Sequence, residues 1–350
     1  MPKNTASTLK ELPPPPPGKS GWPWTEEIQS LPKNTLAHTN LPLISIVTPS
    51  YNYGHFIEET IRSVLLQGYP NLEYIIIDGG STDNTIEIIR KYENYLTYWV
   101  SEPDNGQTDA INKGYRYCHG QIFTWLNADD AYLSPYCLQE VSQLYNQGYN
   151  FIVGECIYEN LTQNQVNIDG FKGKSTPTNF NQYLKFWLGN FLPQPSVFLS
   201  KNFADKGFPL DLSLYFVMDY QFFLRVLSQK PKTIWVDQKW VKASLHGDNK
   251  TMLPPHQKKA ELLEFSKVAI AESSRLPWMA RQIIQIDIKD YLMLRELLDR
   301  DPSPNFQQVV TLLQNRPTLL RWILVWKILL KSLVGSVAYS KIKSLAQTGK

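Results

Sequence analysis

The sequence predicts an α/β fold with a mostly parallel central sheet, followed by a helical C-terminal region. Between residues 43 and 126, short apolar runs alternate with stretches whose apolar residues recur at helical spacing. Strands that alternate with helices of 10–15 residues are typical of βαβ units and parallel sheets. From about Pro255 onward the pattern is helical throughout. A chain of 350 residues, 43% of them hydrophobic, can bury the core of one large domain that carries an appendage.

Each predicted element has its own local signal. The first strand is an apolar run that ends at Pro49, and the helix after it has apolar residues at 57, 61, 64 and 65, which form one helical face. The predicted strands are 43–49, 72–77, 98–100, 122–126, 151–158, 233–236 and 241–245. The predicted helices are 56–67, 81–92, 108–118 and 214–227, before the helical region.

Composition divides the chain into three parts. Residues 1–41 contain five consecutive prolines, Pro13–Pro17, and two tryptophans at 22 and 24, so we predict an extended arm whose tryptophans rest on the domain. Residues 42–254 form the predicted α/β domain, and residues 255–350 form the helical region. The polar N-terminus has no apolar core of a secretory signal, which predicts a cytoplasmic protein.

Charge and cysteine usage exclude several function classes. A net charge of +3 and the lack of a basic stripe in the central part argue against nucleic-acid binding. Three cysteines without CxxC spacing predict buried thiols in a reducing compartment. Neither a GxxxxGK[ST] loop nor a GxGxxG fingerprint occurs, so P-loop and dinucleotide-binding readings lose support.

Acidic residues stand where two predicted strands end. Asp78 follows the run 74–77, and Asn127-Ala128-Asp129-Asp130 follows the run 123–126. Ligands of open α/β sheets bind at the carboxyl ends of the strands, and Mg²⁺ takes oxygen ligands that it shares with substrate phosphates. The plainer alternatives are a turn at Asp78 and a helix N-cap at Asp129 or Asp130.

Several ordered motifs resemble the family 2 glycosyltransferases of the GT-A fold. Thr48-Pro49-Ser50-Tyr51-Asn52, Asp78-Gly79-Gly80-Ser81-Thr82-Asp83 and Leu126-Asn127-Ala128-Asp129-Asp130 follow the first, second and fourth strands. The stretch 101–114 (SEPDNGQTDAINKG) is similar to the branch that builds bacterial surface polysaccharides. The likeness covers about residues 42 to 250 and implies a Rossmann-like GT-A sandwich.

The resemblance implies roles on the donor side. Pro49 and Tyr51 would line the nucleotide pocket, and Asp78 would hold the base. Nearer the rest of the nucleotide sugar it implies a set of donor-binding residues: Asp104, Asp109, Lys113, Asn127, Ala128 and Gln194. Within that set, Lys113 would point toward phosphate.

The resemblance also implies a divalent cation, Mg²⁺ or Mn²⁺. Asp129 matches the last acid of the family's DxD motif, whereas Asn127 stands where the first acid would be. The cation would therefore rest on Asp129, together with Asp130. His246 matches a histidine that approaches the metal or the diphosphate, although a single histidine is often structural.

On the acceptor side the family has a Glu-Asp pair at a helix start, which matches Met218-Asp219 here. Asp219 is therefore the predicted general base, because a carboxylate can take the proton of an attacking hydroxyl. The plainer alternatives are an N-cap or an ion pair with Arg225.

The tail offers a separate prediction. Residues 302–350 contain seven basic residues and no acidic one, and 319–337 is rich in Leu, Ile, Val and Trp. A cationic helix of this kind suits a membrane interface, here the inner face of the plasma membrane, or a contact with the domain or a second subunit.

The sequence thus predicts an inverting transfer of a sugar from a nucleotide-sugar donor to a glycan or lipid-linked hydroxyl acceptor. Two alternatives stay open. A nucleotidyltransferase would normally have a basic Gly-rich loop after the first strand, and 48–54 has neither Lys nor Arg. A non-catalytic nucleotide-sugar or glycan-binding relative would explain Asn127 and Met218 at acidic positions.

Overall fold

The computed structural model describes residues 8–26, 41–161, 165–167, 176–247 and 255–334. The chain divides into two compact units, Met1–Glu272 and Ser273–Lys350. Parts of the predicted arm (1–7, 27–40), of the loop 160–200 (162–164, 168–175) and of the tail (335–350) lie outside the described residues, as do 248–254.

The first unit is built on one sheet. Within the described residues, the sheet has the order β3-β2-β1-β4-β8-β6-β9-β5, with β7 paired to β6. The strands are β1 (Ile44–Ser50), β2 (Leu72–Asp78), β3 (Tyr98–Ser101), β4 (Ile122–Trp125), β5 (Asp130–Tyr132), β6 (Phe151–Asn160), β7 (Gln165–Asn167), β8 (Val197–Ser200) and β9 (Thr233–Leu245). The predicted α/β fold is confirmed.

The first four strands pair in parallel, as does β6 with β9. Antiparallel pairing enters where β8 joins β4 and β6, where β5 joins β9, and where β7 joins β6. The four parallel strands therefore end at one edge, which collects the loops after β1, β2 and β4.

Helices cover the sheet and form the second unit. They are α1 (Ile57–Leu65), α2 (Thr85–Tyr92), α3 (Gln107–Tyr115), α4 (Cys137–Asn146), α5 (Phe180–Tyr183), α6 (Lys201–Gly207), α7 (Met218–Leu227), α8 (Pro255–Glu272), α9 (Trp278–Arg300), α10 (Phe306–Asn315) and α11 (Ile323–Val334). Helix α3 lies close to β1 because Gly114 has no side chain, and a Cβ there would be 2.5 Å from Val47.

Several features of this arrangement were not predicted from the sequence. Strand β5 spans three residues and β8 four, too few to show a period of their own, and α4 was not predicted. Residues 233–245 form one strand because β6 pairs along it through a bulge near Glu155. Helix α7 begins at Met218 rather than 214 because the backbone N–H groups of Tyr215 and Phe216 donate to Glu264.

The arm lies on the first unit. Leu12 and Trp24 are buried, and Trp22 packs against the core cluster that includes β1, β2 and α1. Arg62 of α1 holds the arm through its backbone carbonyls.

The second unit has a small core of its own, around Leu294, Leu319 and Val325. Its buried Asp290 pairs with Arg316 at 3.2 Å. In the part of the chain that the structure describes, no helix has the length and hydrophobicity needed to cross a bilayer.

Candidate active site

The loops that follow β1, β2 and β4 meet at the carboxyl edge of the sheet. Ser50 is paired with Asp78, and Asp78 with Ser101, at the last positions of three adjacent strands. The N–H of Gly79 donates to Ser50 O at 2.8 Å, and that of Leu126 to Val47 O at 3.0 Å. Both aspartate clusters predicted from the sequence therefore lie on the same edge.

Asp78 is fully buried and is surrounded by hydrogen-bond donors of its own chain. Its Oδ2 accepts from the N–H groups of Gly80 (3.1 Å) and Ser81 (2.9 Å) and from the Ser101 hydroxyl (2.6 Å). Its Oδ1 accepts from the Ser81 hydroxyl at 2.5 Å. A ligand that contacted this carboxylate would have to displace one of these donors. Its predicted contact with a base stays a prediction.

Asp104 lies directly against the Gly79-Gly80 turn. A Cβ at Gly79 would be 2.9 Å from Asp104 Oδ2, and Gly80 has a φ of +83° that favours glycine. Burial raises the pKa of Asp104, whereas the N–H of Gly106, which donates to Oδ1 at 2.7 Å, opposes that rise. The two glycines thus let a carboxylate approach the backbone of the β2 loop closely.

The loop after β1 is tied to the loop after β2. Asn52, with φ +57°, donates its N–H to the Ser81 hydroxyl at 2.7 Å and accepts at Oδ1 from the N–H of Thr82 at 2.8 Å. The N–H of Gly54 donates to Asp83 Oδ2 at 2.9 Å. Pro49 is buried, and the Tyr51 side chain is 57% exposed. Tyr51 therefore offers an aromatic ring that is open to a ligand.

Lys113 of α3 lies among acidic side chains. Its Nζ is 3.1 Å from Glu102 Oε1 and 3.7 Å from Asp109 Oδ2. Partial burial works to lower the pKa of Lys113, but these two carboxylates and Asp104 outweigh it and raise the pKa. The side chain is a cation throughout the physiological range, as a phosphate ligand would require.

Asp129 and His246 form the central pair of the site. His246 Nε2 lies 3.1 Å from Asp129 Oδ2, and both residues are buried. The imidazole stacks on Phe56 with a centroid distance of 4.6 Å and meets the edge of Tyr53 at 5.9 Å. These two rings fix the plane of the imidazole, so its nitrogen stays directed at the Asp129 carboxylate.

Asn127 is the centre of a polar network. Its Oδ1 accepts from Gln107 Nε2 at 2.7 Å, and its Nδ2 donates to Asp130 Oδ2 at 3.1 Å and to Gln194 Oε1 at 3.4 Å. Gln194 in turn donates to Trp125 O at 2.9 Å. The structure thus brings together three predicted site residues, Asn127, Asp130 and Gln194. The Asn127 amide, which stands where the family's DxD motif has its first acid, joins the other two.

Asp130 differs from its neighbour Asp129. Its side chain is buried in β5, and burial followed by the charge of Asp129 raises the pKa of Asp130 well above the ordinary value. Ala128, between Asn127 and Asp129, is also fully buried.

Asp219 is the second residue of α7, and its neighbour Met218 contacts the start of α3. The Thr108 hydroxyl donates to Met218 Sδ at 2.8 Å, and Thr108 follows Gln107, which contacts Asn127. Asp219 is half-buried, and its Oδ1 accepts from the N–H of Tyr220 at 2.8 Å. The start of α7, which carries the predicted base, is therefore linked to the Asn127 network through the Thr108–Met218 and Gln107–Asn127 contacts.

The charge of Asp219 affects the pKa of two nearby residues, Tyr158 and Glu261. Burial raises the pKa of Tyr158, with further contributions from Cys156, Asp130 and Asp219. Burial and then the charge of Asp219 raise the pKa of Glu261 on α8. Tyr158 is thus within electrostatic reach of both Asp130 and Asp219.

The residues fit a divalent cation only in part. No group of three His, Cys, Asp or Glu side chains that could hold a metal occurs within the described ranges. Asp129 offers a carboxylate oxygen and His246 an imidazole nitrogen at one point, and the remaining ligands would have to come from a diphosphate or water. An imidazole beside a carboxylate suits Mn²⁺ better than Mg²⁺.

Sequence reasoning missed the residues that organise the site. Gln107, Thr108, Ser81 and Ser101 each contact a predicted site residue. Gln107 and Thr108 lie inside the motif of residues 101–114, but their types alone carry no chemical signal. The serines belong to turns, where a hydroxyl ordinarily bonds locally.

Comparison with known proteins gives three findings. Residues 45–204 match the family described as glycosyl transferase family 2. An uncharacterised glycosyltransferase of Mycobacterium tuberculosis, Rv1514c, is 29% identical over 209 residues, which are 56% of this chain and 73% of that protein. The Escherichia coli enzyme UDP-Glc:alpha-D-GlcNAc-diphosphoundecaprenol beta-1,3-glucosyltransferase WfgD is 30% identical over 125 residues, 35% of this chain and 49% of that protein.

Solved structures agree with the fold. S. aureus TarS 1-349 in complex with UDP-GlcNAc is similar with a TM-score of 0.55 and 16% identity, covering 88% of this chain and 92% of that chain. The crystal structure of S. aureus TarS is similar with a TM-score of 0.53 and 16% identity, covering 71% of this chain and 43% of that chain. At such identities the likeness concerns the fold, which is the GT-A fold expected from the motifs.

Proposed function

We propose that this chain, which belongs to glycosyl transferase family 2 through its residues 45–204, transfers a sugar with inversion from a nucleotide-sugar donor to a hydroxyl acceptor. The observation that carries the proposal is the convergence of Asp129–His246, the Asn127 network and Asp219 at one edge of the sheet. This edge is where ligands of open α/β sheets bind.

Donor binding is divided between two sides of this edge. The exposed Tyr51 ring, beside the tied loops after β1 and β2, is placed to stack on a base or ribose. Asp104, close to the Gly79 backbone, offers an acceptor for ribose hydroxyls or base N–H groups. Lys113 would turn from Glu102 toward the diphosphate when the donor binds.

The metal would rest on Asp129, with His246 beside it. When bound, such a cation offsets the charge that develops on the leaving diphosphate. The chain's own residues hold the Asp129 carboxylate and the His246 imidazole in fixed positions relative to each other. The Phe56 and Tyr53 rings hold the imidazole, and the Asn127 network holds the strand end before Asp129.

Asp219 is the proposed general base. It would take the proton of the acceptor hydroxyl as that oxygen attacks the anomeric carbon, and the sugar–phosphate bond would break on the opposite face. A single displacement of this kind inverts the anomeric centre and needs no covalent enzyme intermediate. The Thr108–Met218 contact supports the assignment, because it holds the start of α7 against the donor side of the site.

The acceptor class rests on the relatives. WfgD is named for a diphosphoundecaprenol acceptor, and the Bacillus subtilis relative TuaG is named as a putative teichuronic acid biosynthesis glycosyltransferase. We propose a glycan or lipid-linked hydroxyl acceptor in polysaccharide biosynthesis. The match to glycosyl transferase family 2 favours sugar transfer over nucleotidyl transfer. An assay of sugar transfer distinguishes an enzyme from a relative that only binds the nucleotide sugar or glycan.

A peripheral membrane contact fits such an acceptor. On α11 the side chains of Leu324, Trp326, Leu330 and Leu333 are each at least 40% exposed, and Lys327 lies between them. Apolar and cationic side chains together suit the interface of an anionic bilayer. Binding to anionic but not neutral vesicles, lost in Trp326→Ala, would support this contact, whereas dimerisation through the same residues would contradict it.

The proposal is tested by assay of a panel of nucleotide sugars with and without Mn²⁺, followed by Asp219→Asn with the active donor. Loss of a general base typically lowers turnover by about 10²–10⁴-fold. Donor affinity in calorimetry should change little, since Asp219 lies on the acceptor side. Binding of no nucleotide sugar would contradict the whole proposal, and near-normal turnover in Asp219→Asn would contradict the base.

A further inference from the structure

The Pro-rich arm is held by a buried guanidinium. Arg62 of α1 has none of its side chain exposed. Its Nη1 donates to Pro13 O at 2.8 Å, its Nε to Pro23 O at 3.1 Å and its Nη2 to Trp24 O at 3.0 Å. Burying a charge is costly unless it is hydrogen-bonded. The arm therefore stabilises the buried guanidinium only when these three carbonyls lie where they do.

The charge of Arg62 is also balanced on the domain side. Its Nη1 donates to the Tyr92 hydroxyl at 3.1 Å, and that hydroxyl donates to Glu58 Oε1 at 2.9 Å. The guanidinium also lies over the Trp24 ring, 5.5 Å from its centroid. Arg62 thus joins the arm, α1 and α2 at one buried point.

The same helix holds the turn that carries Asp129. The Thr60 hydroxyl, which is buried, lies 2.9 Å from Ala128 O and 2.7 Å from Asp130 O, the carbonyls on either side of Asp129. The Ser63 hydroxyl accepts from the N–H of Tyr132 at 3.1 Å. Helix α1 therefore contacts the arm on one side and the Asp129 turn on the other.

Two further contacts of this helix reach the partner of Asp129. Phe56, directly before α1, stacks on His246. Glu59 pairs with Lys242 of β9 at 2.6 Å, four residues before His246. Both members of the Asp129–His246 pair are thus held by α1 or by residues at its start.

The arm also contacts the turn directly. The indole N–H of Trp22 donates to Tyr132 O at 2.8 Å, across 110 residues of sequence. Tyr132 is the last residue of β5, whose first residue is Asp130. A second arm contact, from the Tyr95 hydroxyl to Glu11 O, lies instead at the short helical turn after α2.

We propose that the arm, residues 8–26, is a positioning element for the Asp129 turn, and that Trp22, Arg62 and Thr60 are its positioning residues. The arm fixes β5 through Trp22 and fixes α1 through Arg62, and α1 fixes the carbonyls on both sides of Asp129. The consequence for the metal and donor rests on the proposed function; the ordering of the turn does not.

The test compares full-length Trp22→Phe and Thr60→Val with Tyr95→Phe as the matched control. Trp22→Phe and Tyr95→Phe each remove one arm-to-domain hydrogen bond, but only the first reaches β5. The first readout is hydrogen exchange, without donor or metal, at the amides of Asp130, Tyr132 and Leu133. Loss of one hydrogen bond should speed their exchange about threefold to tenfold in Trp22→Phe and Thr60→Val, and not in Tyr95→Phe.

The second readout is Mn²⁺ affinity measured by electron paramagnetic resonance. We expect weaker affinity in Trp22→Phe and Thr60→Val, normal affinity in Tyr95→Phe, and rescue in Thr60→Ser, which keeps the hydroxyl. Equal exchange in Trp22→Phe and Tyr95→Phe, or no change in either, would overturn the proposal. If the unmodified protein binds no Mn²⁺, the metal assignment fails, while the exchange result still decides the role of the arm.

Discussion

Asp78, at the end of β2, and Asp129, in the turn after β4, lie at the same edge of the sheet, yet their surroundings differ. Asp78 accepts four hydrogen bonds from its own and adjacent loops and is fully buried. Asp129 faces a histidine whose ring is held by two aromatic side chains. We infer from this difference that Asp78 stabilises the loops around it, and we propose that the Asp129 carboxylate binds a ligand.

The comparison is tested most severely at Asp129. Asp129→Asn keeps the shape of the side chain and removes its charge. Because a metal contributes several kcal/mol of charge stabilisation, we expect sugar transfer to fall by about 10²–10³-fold. Initial rates at saturating donor measure this effect, and the melting temperature serves as control. A rate close to that of the unmodified protein would show that Asp129 does not hold the cation.

Asp78 should give the opposite outcome, a loss of stability. In Asp78→Ala the N–H groups of Gly80 and Ser81 and two hydroxyls lose their acceptor. Because each of these four buried donors costs about 1–3 kcal/mol when left unsatisfied, we expect the free energy of unfolding in urea titrations to fall by about 4 kcal/mol or more. Asp83→Ala, at an exposed position of the same loop, removes fewer hydrogen bonds and should lose clearly less stability. Unchanged stability in Asp78→Ala would leave direct contact with the base as its role.

A substitution at Asn127 tests whether an added acid next to Asp129 binds metal or only destabilises the fold. Asn127→Asp replaces a donor to Asp130 and Gln194 by a carboxylate, so the protein without metal should be less stable. The same carboxylate adds a ligand next to Asp129. We expect Mn²⁺ to bind about tenfold more tightly, a gain of about 1.4 kcal/mol, and to raise the melting temperature of the variant more than that of the unmodified protein. Calorimetry and thermal melts decide; a Mn²⁺ affinity equal to that of the unmodified protein would place residue 127 outside the metal site.

The smallest expected effect concerns pH and the loop after β2. Partial burial works to raise the pKa of Asp83, but hydrogen bonds from Thr85 and from the Gly54 N–H outweigh it and lower the pKa from 3.8. A group with a lowered folded-state pKa stabilises the fold above its unfolded pKa and loses that contribution as pH falls through the folded value. Asp83→Asn should therefore be less stable than the unmodified protein at pH 6, and the difference should shrink below about pH 4. Thermal melts across pH measure it, and a difference that does not vary with pH would contradict it.

The repeated alternation of strands and helices made the parallel half of the sheet predictable. Strands β1, β2 and β4 each have a buried apolar run, and burial on both faces imposes that pattern on the sequence. Strand β5 was not predictable, because its three residues, Asp130–Tyr132, pair with β9 more than a hundred residues later. The start of α7 was misplaced because Glu264, on a distant helix, takes the backbone N–H groups of Tyr215 and Phe216.

Local pattern and motif order carry the fold class, the resemblance to a glycosyltransferase family and the places where acids stand at strand ends, so these features could be predicted from the sequence alone. What each acid faces depends on contacts that form only in the folded chain. Asp78 meets four donors, Asp129 meets His246, Asp130 is buried against Asn127, and the Pro-rich arm reaches Tyr132 through Trp22. These contacts join residues far apart in the chain, and their energies depend on burial and geometry, which no local pattern of residues encodes.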